Sequence, residues 1–128
     1  MPAKKVKVGV VGCGVVATAY YLPYLMKMDT VDLVAVCDRY KTRTEACVRL
    51  FGAKEAYLDY NEMIEKADLD AVFILTAPGT HVSFTLKAVE AGLHVLLQKP
   101  MATSMDDARR IVSAVRKAGV KAIIEPSS

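Results

Sequence analysis

Short apolar runs alternate along the whole chain with segments in which apolar residues recur at helical spacing. Six runs have the length and composition of β-strands. They cover residues 6–11, 31–37, 56–58, 71–75, 94–97 and 121–125. Because helical segments separate the strands, the pattern predicts a parallel sheet with helices on both faces.

The intervening segments begin and end at residues that favour helix boundaries. Helices are predicted from about residue 15, over 41–50, from Asn61 as the cap through 65, over 80–91 and from Ser104 to 118. Pro23 predicts a kink or a restart in the first helix, because proline lacks an amide hydrogen. Ser104 with Asp107 resembles a capping box. The last helix presents an apolar face made of Ala108, Ile111, Val112, Val115 and Ala118.

This alternation predicts an α/β fold with a doubly wound, mostly parallel six-stranded Rossmann sheet in the order 3-2-1-4-5-6. Right-handed crossovers place the carboxyl ends of the strands at one edge. We therefore expect a ligand crevice between the first and fourth strands. The residues expected to line it are 12–17, Asp38, Arg39, 76–81 and 98–101.

A glycine turn follows the first strand, with the sequence Gly12-Cys13-Gly14-Val15-Val16-Ala17, and Asp38 follows the second. This is the pattern of a dinucleotide-binding βαβ unit, in which the glycines allow a tight turn and close approach of a pyrophosphate. The amides of Val15 and Val16 are expected to bind the phosphates at the helix N-terminus. The alternative is a tight turn without a ligand, in which Asp38 only caps the next helix.

Asp38 also bears on the choice of cofactor. A carboxylate there accepts hydrogen bonds from a ribose diol and repels a 2′-phosphate, so the sequence favours NAD over NADP. Arg39 works against this preference, because a guanidinium can stack on adenine or contact a phosphate. Cys13 lies inside the turn, and we hypothesise that the helix N-terminus makes it more reactive.

Composition excludes several classes of protein. The 128 residues suit one domain, and the hydrophobic fraction of 53% allows a sizeable core. A net charge of +3 is too small to indicate nucleic-acid binding, and no apolar stretch is long enough to span a membrane. Three cysteines without metal-ligand spacing fit reduced thiols in the cytoplasm. Two distant histidines predict no metal site.

Two further segments carry a family resemblance. Thr76-Ala77-Pro78-Gly79-Thr80-His81 follows the fourth strand, and Gln98-Lys99-Pro100 follows the fifth. With the glycine turn and Tyr21-Leu22-Pro23, they make the chain resemble the N-terminal domain of the Gfo/Idh/MocA oxidoreductases over nearly its whole length. That family has a T-P-x-x-x-H type segment and an E-K-P segment at these places.

The resemblance implies a two-domain enzyme that transfers hydride between a nicotinamide dinucleotide and a sugar, a cyclitol or a related hydroxyl or carbonyl substrate. Lys99 takes the place of the lysine near the nicotinamide and the reacting hydroxyl, where it orients the alcohol or relays a proton. The resemblance also implies that four residues contact the nicotinamide side of the cofactor: Thr76, Ala77, Pro78 and Gln98. His81 positions the adjacent loop or contacts the ribose. Without the resemblance, Lys99 is a surface lysine and His81 an ordinary helix residue.

The chain departs from the family in two ways. Gln98 stands where the family usually has glutamate, and it cannot balance the charge of Lys99. The chain is also much shorter than family members. The resemblance therefore implies that residues 1–128 are the dinucleotide-binding domain, with the C-terminal substrate domain and its catalytic histidine absent. We expect cofactor binding without useful turnover, a small-molecule substrate only in a full-length form, and a homo-oligomer as one arrangement.

Two other classes remain open at this point. A non-catalytic nucleotide-binding module, either an NAD sensor or a CoA-binding Rossmann domain, fits the short chain but not the Gln98-Lys99-Pro100 segment. An S-adenosylmethionine methyltransferase also uses a glycine turn and an acid after the second strand. The segment from Thr76 to His81 fits that class poorly.

Overall fold

The computed structural model describes residues 4–98 and 100–125 and confirms the predicted Rossmann sheet. Its strands are β1 (Val6–Val11), β2 (Val31–Cys37), β3 (Glu55–Tyr57), β4 (Ala71–Ile74), β5 (His94–Gln98) and β6 (Ala122–Glu125). They form one sheet in the order β3-β2-β1-β4-β5-β6, and every neighbouring pair is parallel. The order reverses between β1 and β4, which is where a doubly wound sheet opens a crevice for a ligand.

Helices connect the strands on both faces of the sheet. They are α1 (Leu22–Leu25), α2 (Lys41–Phe51), α3 (Tyr60–Lys66), α4 (His81–Glu90) and α5 (Met105–Ala118). A π-helical segment, Ala17–Tyr21, leads into α1, and a 3₁₀ turn, Pro78–Thr80, leads into α4. Gly52, Gly92 and Gly119 follow α2, α4 and α5 with positive φ angles, as the predicted helix ends require.

The first helix confirms the restart predicted at Pro23. The amide of Leu22 donates to the carbonyl of Ala17, which is the i to i−5 spacing of a π-helix. Pro23 then lies in the first turn of α1, where a missing amide hydrogen costs no helical bond. The π-helical segment thus ends at Tyr21, and a short α-helix starts at Leu22 with the proline in its first turn.

Two apolar cores sandwich the sheet. On one face the first helix and α2 cover a core that includes Val8, Val10, Leu22 and Cys47. On the other face α3, α4 and α5 cover a larger core around Met63, Val72, Val89 and Leu97. β1 and β4 are the two central strands, so the crevice between them lies at the middle of the sheet.

The predicted cap of α3 was wrong. Asp59 is the N-cap, and its carboxylate accepts a hydrogen bond of 3.1 Å from the amide of Asn61. Aspartate and asparagine are both good caps, and the sequence pattern did not choose between positions two residues apart. The capping role of Ser104 is confirmed, because its hydroxyl accepts from the amide of Asp107 at 3.1 Å.

Candidate functional site

Gly12 is required by the backbone of the glycine turn. Its φ is +96°, and an added Cβ would stand 2.7 Å from the carbonyl oxygen of Leu75. Its amide donates to the carbonyl of Cys37 at 2.8 Å, which ties the turn to the end of β2. No other residue type fits this position, because both the torsion and the available space exclude a side chain.

Gly14 lies in open surroundings. Its φ is outside the left-handed region, and the nearest atom to an added Cβ is an Arg43 guanidinium nitrogen at 3.9 Å. In the described part of the chain, no acceptor takes the amides of Gly14, Val15 or Val16. Three unpaired amides at a helix start, beside open space, form the kind of cradle that binds phosphate.

Asp38 is a buried carboxylate with two backbone partners. One carboxylate oxygen accepts from the amide of Cys13 and the other from the amide of Tyr40, both at 2.9 Å. The Arg43 guanidinium lies 3.7 Å away. Asp38 therefore fixes the glycine turn to the end of β2. Its bond to Tyr40 also fixes the conformation of the loop that leads into α2. Each oxygen keeps a second lone pair that can accept a hydroxyl.

Two arginines gather around one tyrosine at the end of β2. The guanidinium carbons of Arg39 and Arg43 lie 5.2 and 4.8 Å from the centre of the Tyr40 ring. The sequence analysis named Arg39 but missed Tyr40 and Arg43. A cation in the first turn of the next helix was the available signal, because α2 begins only four residues after β2 ends and so starts beside the same edge of the sheet.

These residues border a cleft of about 590 Å³ at the carboxyl edge of the sheet. The site residues predicted from sequence that line it are Gly12, Gly14, Asp38, Arg39, Thr76 and Ala77. Thr80, from the predicted segment 76–81, also lines it. The lining that the sequence analysis missed is mainly apolar or aromatic: Val11, Cys37, Tyr40, Leu58, Tyr60, Leu75 and Phe84, with Arg43. The Tyr60 and Phe84 rings stack with centres 4.1 Å apart, and they supply a flat apolar wall.

His81 is buried beneath the cleft and does not line it. Its Nδ1 lies 2.8 Å from the carbonyl oxygen of Pro100 and its Nε2 lies 3.1 Å from that of Thr76. The imidazole therefore bridges the loop after β4 and the loop after β5. Both ring nitrogens face backbone carbonyl oxygens, so in this geometry the imidazole links two loops and has no free nitrogen for a ligand.

The remaining predicted residues lie close to this edge. Val15, Val16 and Pro78 belong to the two turns beside the cleft, and Gln98 ends β5, where its side-chain amide donates to the Tyr21 hydroxyl at 3.3 Å. Lys99, the predicted catalytic residue, lies outside the described residues.

The hypothesis of a reactive Cys13 was wrong. Cys13 is buried, and its thiol donates to the carbonyl of Cys37 at 3.6 Å. A hydrogen bond with Cys47, burial and the charge of Asp38 raise the pKa of the Cys13 thiol. Burial and the charge of Asp38 raise the pKa of Cys37 to about 12. Because only the thiolate is a strong nucleophile, the bond with Cys47 and burial, with a smaller contribution from Asp38, keep Cys13 in its less reactive thiol form.

Across residues 4–98 and 100–125, no three His, Cys, Asp or Glu side chains are grouped as a metal site would require. None of the helices in the same residues has both the length and the apolar character needed to cross a bilayer.

Three features of the cleft fit a dinucleotide. The free amides beside Gly14 suit the pyrophosphate, and the second glycine leaves the space that its approach requires. Asp38 stands at the end of β2, where the adenosine ribose lies in this fold. The apolar and cationic lining suits the flat face of an adenine. The residues present therefore fit the group.

Comparison with known proteins supports the same assignment. Residues 6–125 match the family model described as "Oxidoreductase family, NAD-binding Rossmann fold" (Gfo/Idh/MocA). The chain is 36% identical to a dTDP-3,4-didehydro-2,6-dideoxy-alpha-D-glucose 3-reductase of Saccharopolyspora spinosa, over 89% of this chain and 34% of the relative. It is 35% identical to an inositol 2-dehydrogenase of Klebsiella pneumoniae, over 88% and 34%.

Among solved structures, the WlbA dehydrogenase from Chromobacterium violaceum, in complex with NADH and UDP-GlcNAcA, superposes with a TM-score of 0.90. It is 31% identical, and the match covers 98% of this chain and 36% of that one. The chain thus spans about a third of the length of the curated relatives it matches. Because the family model covers nearly the whole chain, this protein belongs to the Gfo/Idh/MocA oxidoreductases and is their NAD-binding Rossmann domain.

Proposed function

We propose that this chain is the cofactor domain of an NAD-dependent dehydrogenase or reductase that acts on a sugar, a cyclitol or a related hydroxyl or carbonyl compound. When bound, the nicotinamide supplies or accepts the hydride. This chain's own residues bind and orient the dinucleotide along the carboxyl edge of the sheet.

The observation that carries this proposal is the difference between the two glycines. Gly12 is explained by its torsion and its crowded surroundings, whereas neither explains Gly14. A ligand that approaches the backbone explains Gly14, and it also explains the unpaired amides of Gly14, Val15 and Val16. Because any helix leaves its first amides unpaired, the open space at Gly14 is the feature that a tight turn without a ligand does not need.

NAD is the proposed cofactor, with NADP disfavoured. Asp38 is buried and retains acceptor capacity for a ribose diol, and its charge opposes a 2′-phosphate. Arg43 offsets part of that charge at 3.7 Å, and Arg39 lies on the same tyrosine ring. We expect NADH to bind more tightly because the carboxylate is fixed by two backbone amides, while both guanidinium groups lie on exposed side chains.

The reaction itself is assigned to a longer enzyme. We propose that Lys99 stands near the reacting hydroxyl, where it orients the alcohol or relays a proton. We propose that residues 1–128 bind and orient the cofactor, and that substrate contacts come from elsewhere in the enzyme. A cytoplasmic location belongs to the same proposal, because all three cysteines are free thiols.

Calorimetric titration of the chain with NADH and with NADPH at one ionic strength tests the cofactor assignment. NADH is expected to bind more tightly. Asp38→Asn is expected to weaken NADH about tenfold, because a hydrogen bond to a charged acceptor is lost. The affinity for NADPH is expected to change less, so the ratio of the NADH and NADPH affinities should decrease.

Asp106→Asn is the matched control, because it removes one carboxylate from the exposed surface of α5. It should change neither affinity. Thermal melting of each variant separates loss of binding from loss of the turn that Asp38 holds. Tighter NADPH binding that depends on Arg43 would reverse the assignment, and no binding of either dinucleotide would refute the proposed site.

A further inference from the structure

In the last strand, the acid is less exposed than the apolar residues before it. In β6, Ile123 is 58% exposed and Ile124 is 37% exposed, whereas Glu125 is partly buried. Its Oε2 is shielded from solvent and has no hydrogen-bond partner within residues 4–98 and 100–125. A shielded carboxylate oxygen without a donor is costly, so a native structure that keeps one invites a functional explanation.

Glu125 stands beside Gln98 at the carboxyl edge of the sheet. The two are register partners in neighbouring parallel strands, so their side chains lie on the same face. Val95 and Leu97 belong to the core under α4 and α5, which places Gln98 on the opposite face. The bond from Gln98 to the Tyr21 hydroxyl agrees, because Tyr21 belongs to the first helix.

Glu125 and Gln98 lie beyond the cleft along the carboxyl edge of the sheet, on the side away from Asp38. The cleft runs past the ends of β2, β1 and β4, and β5 and β6 are the next strands in the sheet. A dinucleotide with its adenosine at Asp38 and its pyrophosphate at Gly14 therefore directs its second ribose towards the ends of these last strands. Ribose hydroxyls are neutral donors that suit a carboxylate oxygen without a partner, and the Glu125 side chain, which is only partly buried, reaches them by turning towards the edge of the sheet.

We propose that Glu125 accepts hydrogen bonds from the hydroxyls of the ribose that carries the nicotinamide. This inference rests on the proposed function, because it takes the dinucleotide to be the ligand. Asp38 and Glu125 then bind the two riboses at opposite ends of one extended ligand. Gln98 assists from the neighbouring strand, where Tyr21 fixes its side-chain amide.

The test measures binding of ADP, ADP-ribose and NADH to the chain and to Glu125→Gln. ADP lacks the second ribose, whereas the other two carry it. The variant is expected to weaken NADH and ADP-ribose about tenfold, as for loss of a charge-assisted hydrogen bond, and to leave ADP within about twofold. Glu90→Gln, which changes an exposed acid at the end of α4, is the matched control and should leave all three affinities unchanged.

A second variant distinguishes loss of the carboxylate from a structural change in β6. Gln98→Glu, added to Glu125→Gln, returns a carboxylate to the same face one strand away, and it should restore most of the NADH affinity. Glu125→Gln should not lower the melting temperature, because it removes a charge that has an unpartnered oxygen.

The outcomes separate the two proposals. If the unchanged chain binds neither NADH nor ADP-ribose, the proposed function and this inference fall together. If the unchanged chain binds NADH and Glu125→Gln binds it equally well, the inference alone is overturned. An equal loss for ADP and NADH would likewise overturn it, because the effect would then be unrelated to the second ribose.

Discussion

At the scale of single residues, two glycines in one turn are constrained by different things. Gly12 meets the carbonyl of Leu75 and has a left-handed torsion, so the folded chain itself requires glycine there. Gly14 has neither constraint. Substitution of Gly12 should therefore lower stability, whereas substitution of Gly14 should lower the affinity for the ligand.

Gly12→Ala is expected to destabilise the chain by roughly 2–4 kcal/mol, because it adds backbone strain to a steric clash. Gly14→Ala should leave the free energy of unfolding within about 1 kcal/mol. It should nevertheless weaken NADH at least about tenfold, because the methyl group occupies the space left for the phosphates. Chemical denaturation and calorimetry measure the two quantities. A Gly14→Ala variant with unchanged NADH affinity would contradict the assigned role of the turn.

At the scale of secondary-structure elements, caps decide where helices begin. Two residues of good capping type, Asp59 and Asn61, lie at the start of α3. Asp59 has extended backbone angles and accepts from the amide of Asn61, whereas Asn61 already lies inside the helix. Asp59 is therefore the cap, because its extended backbone directs its carboxylate to the free amides of the first helical turn.

Asp59→Ala is expected to cost about 1 kcal/mol of stability, the usual effect of removing a helix cap. Asn61→Ala, the matched control in the same turn, should cost less than about 0.5 kcal/mol because alanine favours the helix interior. Urea denaturation of both variants measures the difference. A larger loss for Asn61→Ala would show that the cap is misassigned.

At the scale of the whole molecule, the sheet is unevenly covered. β1 and β4 have strands on both sides and contribute to the buried cores, whereas β6 is an edge strand with two exposed isoleucines. The α5 helix beside it buries only Ile111 completely, although five residues form its apolar face. Local stability is therefore expected to fall from the centre of the sheet towards β6.

Hydrogen exchange of the backbone amides tests this gradient. Amides in the middle of β1 and β4 should exchange slowest, at rates set by global unfolding. Those of β6 should exchange markedly faster, and NADH should slow exchange in the glycine turn more than in β6. Equal protection of β6 and β1 in the free chain would contradict the gradient.

The sequence by itself determined the order and type of the elements. Alternation of apolar runs with helical segments predicted all six strands, and two of them, β1 and β2, have the predicted bounds. The glycine turn, Asp38 and the segment after β4 were found because each depends on residues close together in the chain. Local geometry of this kind is encoded locally, through torsions, caps and periodicity.

Only the tertiary structure decided what meets across the sheet. It brought Arg43 and Tyr40 to Asp38, joined two loops through His81, and placed Glu125 beside Gln98. It also reversed the expectation for Cys13, since the bond with Cys47, burial and a neighbouring carboxylate all raise the pKa of its thiol. Contacts between distant residues depend on strand order, register and burial, and no spacing along the chain records these quantities.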